Sequence, residues 1–173
     1  MINQLFFPVL SEVGRLWREN RISVADEHLA VANLRAIYQL FFKARFAKKK
    51  QEQNITICCV PGEEHEIGAE LLSLYLESKD WDVVFIGHSA PEDEILRTLS
   101  QNTPLAVVLS ITMISHLPAL NSLIQKLRDR FPSLKILAGG GALRLQAKAI
   151  IQGLVDGVAS SFEECHKLLN KME

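Results

Sequence analysis

From residue 54 onward, short runs rich in β-branched residues alternate with helix-period segments, and this alternation restricts the chain more than any other feature. Ile55 to Val60, Asp82 to Ile86, Leu105 to Ile111, Lys135 to Ala138 and Gly157 to Ala159 have the length of strands, and their runs are apolar on both faces. That is the pattern of strands buried beneath helices on both sides. Helical segments fill the gaps, so the connections are right-handed βαβ crossovers and the sheet is parallel. The expected fold class is α/β, a doubly wound parallel five-stranded sheet of order 2-1-3-4-5. Ligands of such sheets bind beyond the carboxyl ends of the strands, near the switch point between the first and third.

A different regime precedes the polar run Lys48 to Asn54. Leu5, Phe6, Val9, Val13, Leu16 and Trp17 recur at three- and four-residue intervals, the signature of an amphipathic helix. Asn20-Arg21 interrupts it. Ser23, with Asp26 three residues on, predicts an N-cap, and a second helix runs from Val24 to about Ala47 through Val31, Leu34, Ile37, Tyr38, Phe41 and Phe42. The expected organisation is a helical cap over residues 1–50 and a sheet domain over 54–173. Two helices with so many aromatics cannot bury them all against each other, so an interface through the aromatic face is expected.

The balance of 19 Lys+Arg against 20 Asp+Glu offers no reason for direct nucleic-acid binding. Three cysteines, two of them adjacent at Cys58 and Cys59, suit neither a disulfide framework nor a structural zinc site; those two are expected to pack as small hydrophobes in a reducing cytoplasm. The apolar start lacks a basic leader, and no stretch reaches the roughly 20 apolar residues of a membrane span.

The sheet topology directs attention to three segments. Pro61-Gly62-Glu63-Glu64-His65-Glu66-Ile67-Gly68 follows the first strand, Ser110-Ile111-Thr112 ends the third, and Gly139-Gly140-Gly141 follows the fourth. In the order 2-1-3-4-5 these strands are neighbours, so an imidazole, two hydroxyls and a glycine-lined opening converge on one crevice. The triple glycine is a poor phosphate loop, since Arg144 stands where GxGxxG needs its last glycine and the segment follows the fourth strand. Glu63, two residues before His65, is placed to accept a hydrogen bond from one ring nitrogen and make the other a better metal ligand.

Taken together, ExHxxG, SxT and GG resemble the DxHxxG…SxL…GG signature of flavodoxin-like, Rossmann-like cobalamin-binding domains that take the cofactor base-off. The resemblance implies that His65 ligates cobalt, Glu63 orients it and Gly68 lies at the start of the next helix. It further implies that Ser110, Thr112, Gly139, Gly140 and Gly141 line the slot for the displaced dimethylbenzimidazole tail, with Glu66 and Ile67 also beside the cofactor. Upstream, Trp17 followed after nine residues by Glu27-His28 gives W-x9-EH. This is similar to the upper-face motif of the light-sensing domains of MerR-type cobalamin photoreceptor regulators. Carried over, Trp17 shields the upper axial group, with Val24, Glu27 and His28 beside it.

Two departures stand out. Arg18 occupies the position where members of that family carry a histidine that becomes the upper ligand after illumination, so the resemblance does not carry a bis-histidine light product. Family members also have a four-helix cap preceded by a DNA-binding domain, and the expectation here is half a cap and no DNA reader. His88, His116 and His166 follow or flank helices with no paired ligand residues and read as structural; Lys48 to Lys50 read as a solvated linker.

The sequence thus predicts a cobalamin-binding sensory module, light-responsive and without catalytic residues, carrying adenosylcobalamin or another alkylcobalamin. Its output passes through a homo-oligomer formed by the cap, or through a protein that completes the cap. The alternatives are a corrinoid carrier for methyl transfer, or a variant of the sensor that binds bilin or haem.

Overall fold

The computed structural model describes residues 2–42, 54–143, 148–151 and 153–172, and it divides into two compact units, Met1–Lys49 and Lys50–Glu173.

In the first unit a π-helical turn, Ile2–Phe6, leads directly into α1 (Phe7–Arg18), and α2 spans Val24–Phe42. Asn20, with φ of 55°, lies in the short reversal between them. The start of α2 is a reciprocal capping box. Ser23 Oγ accepts from the Asp26 amide at 3.1 Å, and Asp26 accepts from the Ser23 amide at 3.0 Å. Ile2, Phe6, Leu34 and Tyr38 are buried, with the Phe6 and Tyr38 rings edge to face at 6.1 Å. The exposed large apolar side chains of this unit are all aliphatic: Leu5, Val9, Val24, Leu29, Ile37 and Leu40. Phe6 turns inward onto Tyr38, while Phe7 and Trp17 are half-buried. The expected continuation of α2 to Ala47, the side chains of Phe41 and Phe42, and Lys48 to Lys50 lie outside what is described.

The second unit is a parallel sheet of β1 (Asn54–Cys59), β2 (Asp82–Ile86), β3 (Ala106–Ser110), β4 (Lys135–Gly139) and β5 (Gly157–Ala159), in the order β2-β1-β3-β4-β5. Crossovers are made by α3 (Ile67–Glu77), α4 (Glu92–Asn102), α5 (Leu117–Arg130) and α6 (Lys148–Ile151), and α7 (Phe162–Leu169) follows β5. Because successive strand residues point to opposite faces, β1 serves two interiors. Cys58 joins a core with Val107, Leu109, Ile136, Ala138 and apolar residues of α4, α5 and α6. Ile55, Ile57 and Cys59 alternate with them and are equally buried. All three cysteines are free and buried, and burial pushes the Cys59 and Cys165 thiols up to about 12, as expected of inert packing groups.

Register decides what meets at the carboxyl edge. Cys59 pairs with Ser110, Ser110 with Gly139, and Gly139 with Ala159, so the ends of four strands form one row. The loops beyond that row issue side by side.

Candidate functional site: an imidazole on a buried carboxylate

The loop after β1 turns at once. Pro61 and Gly62 occupy the centre of a turn closed by the Glu63 amide on Val60 O at 3.0 Å, and the φ of +83° at Gly62 is what a type II turn requires of its third residue. This reversal sends Glu63 back under the loop, where the residue is fully buried.

A buried carboxylate is costly unless its lone pairs are filled, and here they are. Oε1 accepts from the His65 amide at 3.0 Å and meets His65 Nδ1 at 2.6 Å. Oε2 accepts from the amides of Thr112 at 2.8 Å and Met113 at 3.0 Å, and meets His116 Nδ1 at 3.1 Å. Burial alone raises the carboxyl pKa, but the hydrogen bonds from His65, Met113 and His116 outweigh it and hold Glu63 well below the usual carboxylate range. The group is an anion, so it can only accept, and each ring must present a protonated Nδ1 to it. A neutral His65 then carries its lone pair on Nε2. Its side chain is 42% exposed.

Glu66 holds a second strap. Its Oε2 accepts from the His88 amide at 3.0 Å and meets His88 Nδ1 at 2.8 Å, tying the loop after β2 to the loop after β1. A Cβ at Gly87 would lie 2.7 Å from that oxygen, so glycine is needed for the approach. His88 and His116, which the sequence reading left without paired ligand residues, both have carboxylate partners. The correction has a simple cause: those partners lie 22 and 53 residues away in the chain. His166 sits edge to face with Tyr75 at 6.3 Å.

The glycines after β4 differ in role. At Gly140, φ is +119° and a Cβ would fall 2.1 Å from Ile111 O, so this glycine admits the backbone of the β3 loop. A Cβ at Gly141 would meet Thr112 O at 3.4 Å, and one at Gly139 would meet Ala159 O at 3.1 Å. Gly68, in the first turn of α3, has nothing within 4 Å of where its Cβ would be. Ile67 beside it is buried, while Ser110 and Thr112 are half-buried. The structure thus gathers Glu63, His65, Ser110, Thr112 and Gly139 to Gly141 at one edge of the sheet.

Trp17, Val24, Glu27 and His28 belong to the first unit, and they gather at one end of its helix pair. Trp17 is half-buried near the end of α1, and Val24 is exposed at the start of α2; Glu27 and His28 follow in the first turns, their side chains 3.5 Å apart.

The donor set is of a particular kind. Among the described residues no cluster of three or more His, Cys, Asp or Glu side chains is arranged to hold a bare ion. A metal that arrives within a macrocycle needs only one axial nitrogen, and His65 is an exposed imidazole whose other nitrogen is already held by a carboxylate. The space over Gly68 is open, whereas the glycines after β4 admit neighbouring backbone.

A B12 binding domain model matches residues 54–167, and a second model, also described as B12 binding domain, matches residues 1–40. Two transcriptional repressors of Myxococcus xanthus are similar over almost the whole chain: the HTH-type repressor CarH at 26% identity over 167 residues, and CarA at 27% over 165. These alignments cover 96% and 95% of this chain and 55% of each repressor, so the chain spans about half the length of the curated relatives it matches. The monomethylamine corrinoid protein of Methanosarcina barkeri shares the fold with a TM-score of 0.77 at 18% identity, covering 95% of this chain and 78% of that one. The chain belongs to the B12-binding domain family, and it is a CarH-like cobalamin-binding domain.

Proposed function

Taking the chain as a cobalamin-binding domain, we propose that it binds the cofactor base-off through His65 and acts as a light-responsive sensory module. One observation carries the ligand assignment: the 2.6 Å contact between His65 Nδ1 and a fully buried, ionised Glu63, which commits Nδ1 and directs any metal bond to Nε2. When bound, an alkylcobalamin supplies a cobalt–carbon bond that visible light can break. Glu63 holds the His65 tautomer and ring plane, Gly68 leaves room over the start of α3, and Gly139 to Gly141 with Ser110 and Thr112 flank the slot for the tail. On the same reading, Trp17, Val24, Glu27 and His28 attend the upper axial group.

The likeness to CarH and CarA supports the sensory role. The fold shared with a corrinoid protein favours a second reading, a carrier of methyl groups between enzymes. The upper face distinguishes them, because the W-x9-EH pattern of Trp17, Glu27 and His28 argues for the sensor. Arg18 cannot replace an imidazole on cobalt, because guanidinium stays protonated and has no free lone pair.

The test is an absorption spectrum of the reconstituted protein before and after illumination. A base-off, histidine-ligated adenosylcobalamin that photolyses to a water- or hydroxide-ligated product is expected, with His65→Ala losing the histidine-ligated form. A spectrum and affinity unchanged in His65→Ala would overturn the ligand assignment. Photolysis with no change in assembly or protease protection would replace the sensor with the carrier, and a bilin or haem spectrum would identify a different pigment.

A further inference from the structure

Glu63 divides its two oxygens between two loops. Among the described residues Oε1 serves only His65, through the amide at 3.0 Å and Nδ1 at 2.6 Å. Oε2 faces the loop after β3, with amides of Thr112 and Met113 at 2.8 and 3.0 Å and His116 Nδ1 at 3.1 Å. His116 closes the 3₁₀ turn Ile114–His116, its amide bonded to Met113 O at 3.1 Å, and α5 begins at the next residue. Its side chain is 26% exposed, and its Nε2 would lie 4.0 Å from a Cβ at Gly62, so the ring lies beside the turn that delivers Glu63.

Two imidazoles therefore donate to opposite oxygens of one buried anion. Each donor withdraws negative charge from the carboxylate and weakens it as an acceptor for the other. We infer that His116 is a positioning residue for the lower ligand: its Nδ1–H, donated to Glu63 Oε2, sets how strongly Oε1 draws on the Nδ1 proton of His65. The inference rests on His65 being that ligand. No contact between His116 and the metal is needed, because the carboxylate transmits the effect. It follows that movement of the Ile114–His116 turn or of the start of α5 changes the donor strength of His65 by altering the third bond on Oε2. The backbone donors cannot vary in this way without unmaking the loop.

The experiment compares His116→Phe, which keeps a planar ring without the donor, with His116→Asn, whose amide nitrogen restores a donor near the Nδ1 position. In cofactor-free protein at one fixed pH near neutrality, the proton resonance of His65 Nδ1–H is the first readout. It should move downfield in the Phe variant, because Glu63 becomes the stronger acceptor, and return towards the wild-type position in the Asn variant. In protein loaded with cob(II)alamin, nitrogen splitting in the electron paramagnetic resonance spectrum and the histidine-ligated fraction form the second. Ligation should strengthen several-fold in the Phe variant, less than the roughly 10- to 100-fold effects of removing a direct partner of a metal-bound histidine. His116→Leu carries the same comparison if Phe is not accommodated.

A folded variant lacking the donor, with both readouts at wild-type values, overturns the inference, as does an Asn variant that behaves like Phe. Failure of the underlying assignment looks different: the wild-type protein itself would then show no histidine ligation, while the cofactor-free resonance would still report on His116.

Discussion

At the scale of single residues, the two glycines at the rim have opposite reasons for being there. Gly140 combines φ of +119° with a Cβ position 2.1 Å from Ile111 O, so no side chain fits without moving the β3 loop. Gly68 lies in a helix with open space around it and gains nothing structurally from lacking a side chain. Gly140→Ala should therefore lose about 2–4 kcal/mol in urea unfolding of the cofactor-free protein, through strain and displaced backbone. Gly68→Ala should unfold at the wild-type urea concentration or gain up to about 1 kcal/mol from helix propensity, yet bind cobalamin more weakly. An alanine at 68 that leaves cobalamin affinity untouched would show that the space over Gly68 is not where the cofactor lies.

Among the elements, the far edge of the sheet depends on Asp156. Its backbone amide donates to Ile136 O at 2.8 Å, while its Oδ2 accepts from the Ile136 amide and from Arg128 Nη2, each at 2.8 Å. These bonds moor the three-residue β5 to β4 and α5. Burial raises the Asp156 pKa, but the bonds from Ile136 and Arg128 prevail and leave it lowered. A carboxyl whose folded pKa lies below its unfolded value of about 3.9 stabilises fully above that value, and this contribution disappears as pH falls through the folded pKa. Asp156→Asn should thus cost about 1–2 kcal/mol near neutral pH, and the gap from wild type should narrow as pH drops below about 4. A gap that stays constant from neutrality to pH 3 would mean that the charge is not what holds the edge. β2 and β5 keep their expected bounds, whereas ends of β1, β3 and β4 differ by one residue because ladder bonds, not side chains, bound a strand. Asn54 pairs with Asp82, for instance, and so opens β1 ahead of Ile55.

For the whole molecule, the first unit poses the sharper question. Leu29 and Leu40 are 63% and 83% exposed, with Ile37, Val9 and Leu5 also outward, while Ile2, Phe6, Leu34 and Tyr38 are buried. At about 25 cal/mol per Å² of apolar area buried, covering such residues would contribute several kcal/mol before the costs of association. Sedimentation of the cobalamin-loaded protein at micromolar concentration should accordingly reveal an assembly larger than one chain, and Leu29→Glu combined with Leu40→Glu should dissociate it. A monomer in that measurement would contradict this expectation. No helix among the described residues is long and apolar enough to cross a membrane.

Periodicity and local spacing were enough to read the strands, the 2-1-3-4-5 order, the capping box at Ser23 and Asp26, and the convergence of three motifs on the carboxyl edge. Each depends on neighbours in the chain or on rules common to all βαβ crossovers, so the information is local. Glu63 as the partner of His65 was legible for the same reason, since only two residues separate them. The other oxygen of Glu63 was not: its donors, Thr112, Met113 and His116, are 49 to 53 residues on, and nothing in their spacing announces them. The strap from Glu66 to His88 and the demand of Ile111 O for glycine at 140 were hidden likewise. These contacts exist because parallel register places the ends of β1, β3 and β4 in one row, and loops issuing from that row must satisfy their buried polar groups with whatever stands opposite. Tertiary structure alone decides that opposition, and with it the identity of the second imidazole on Glu63.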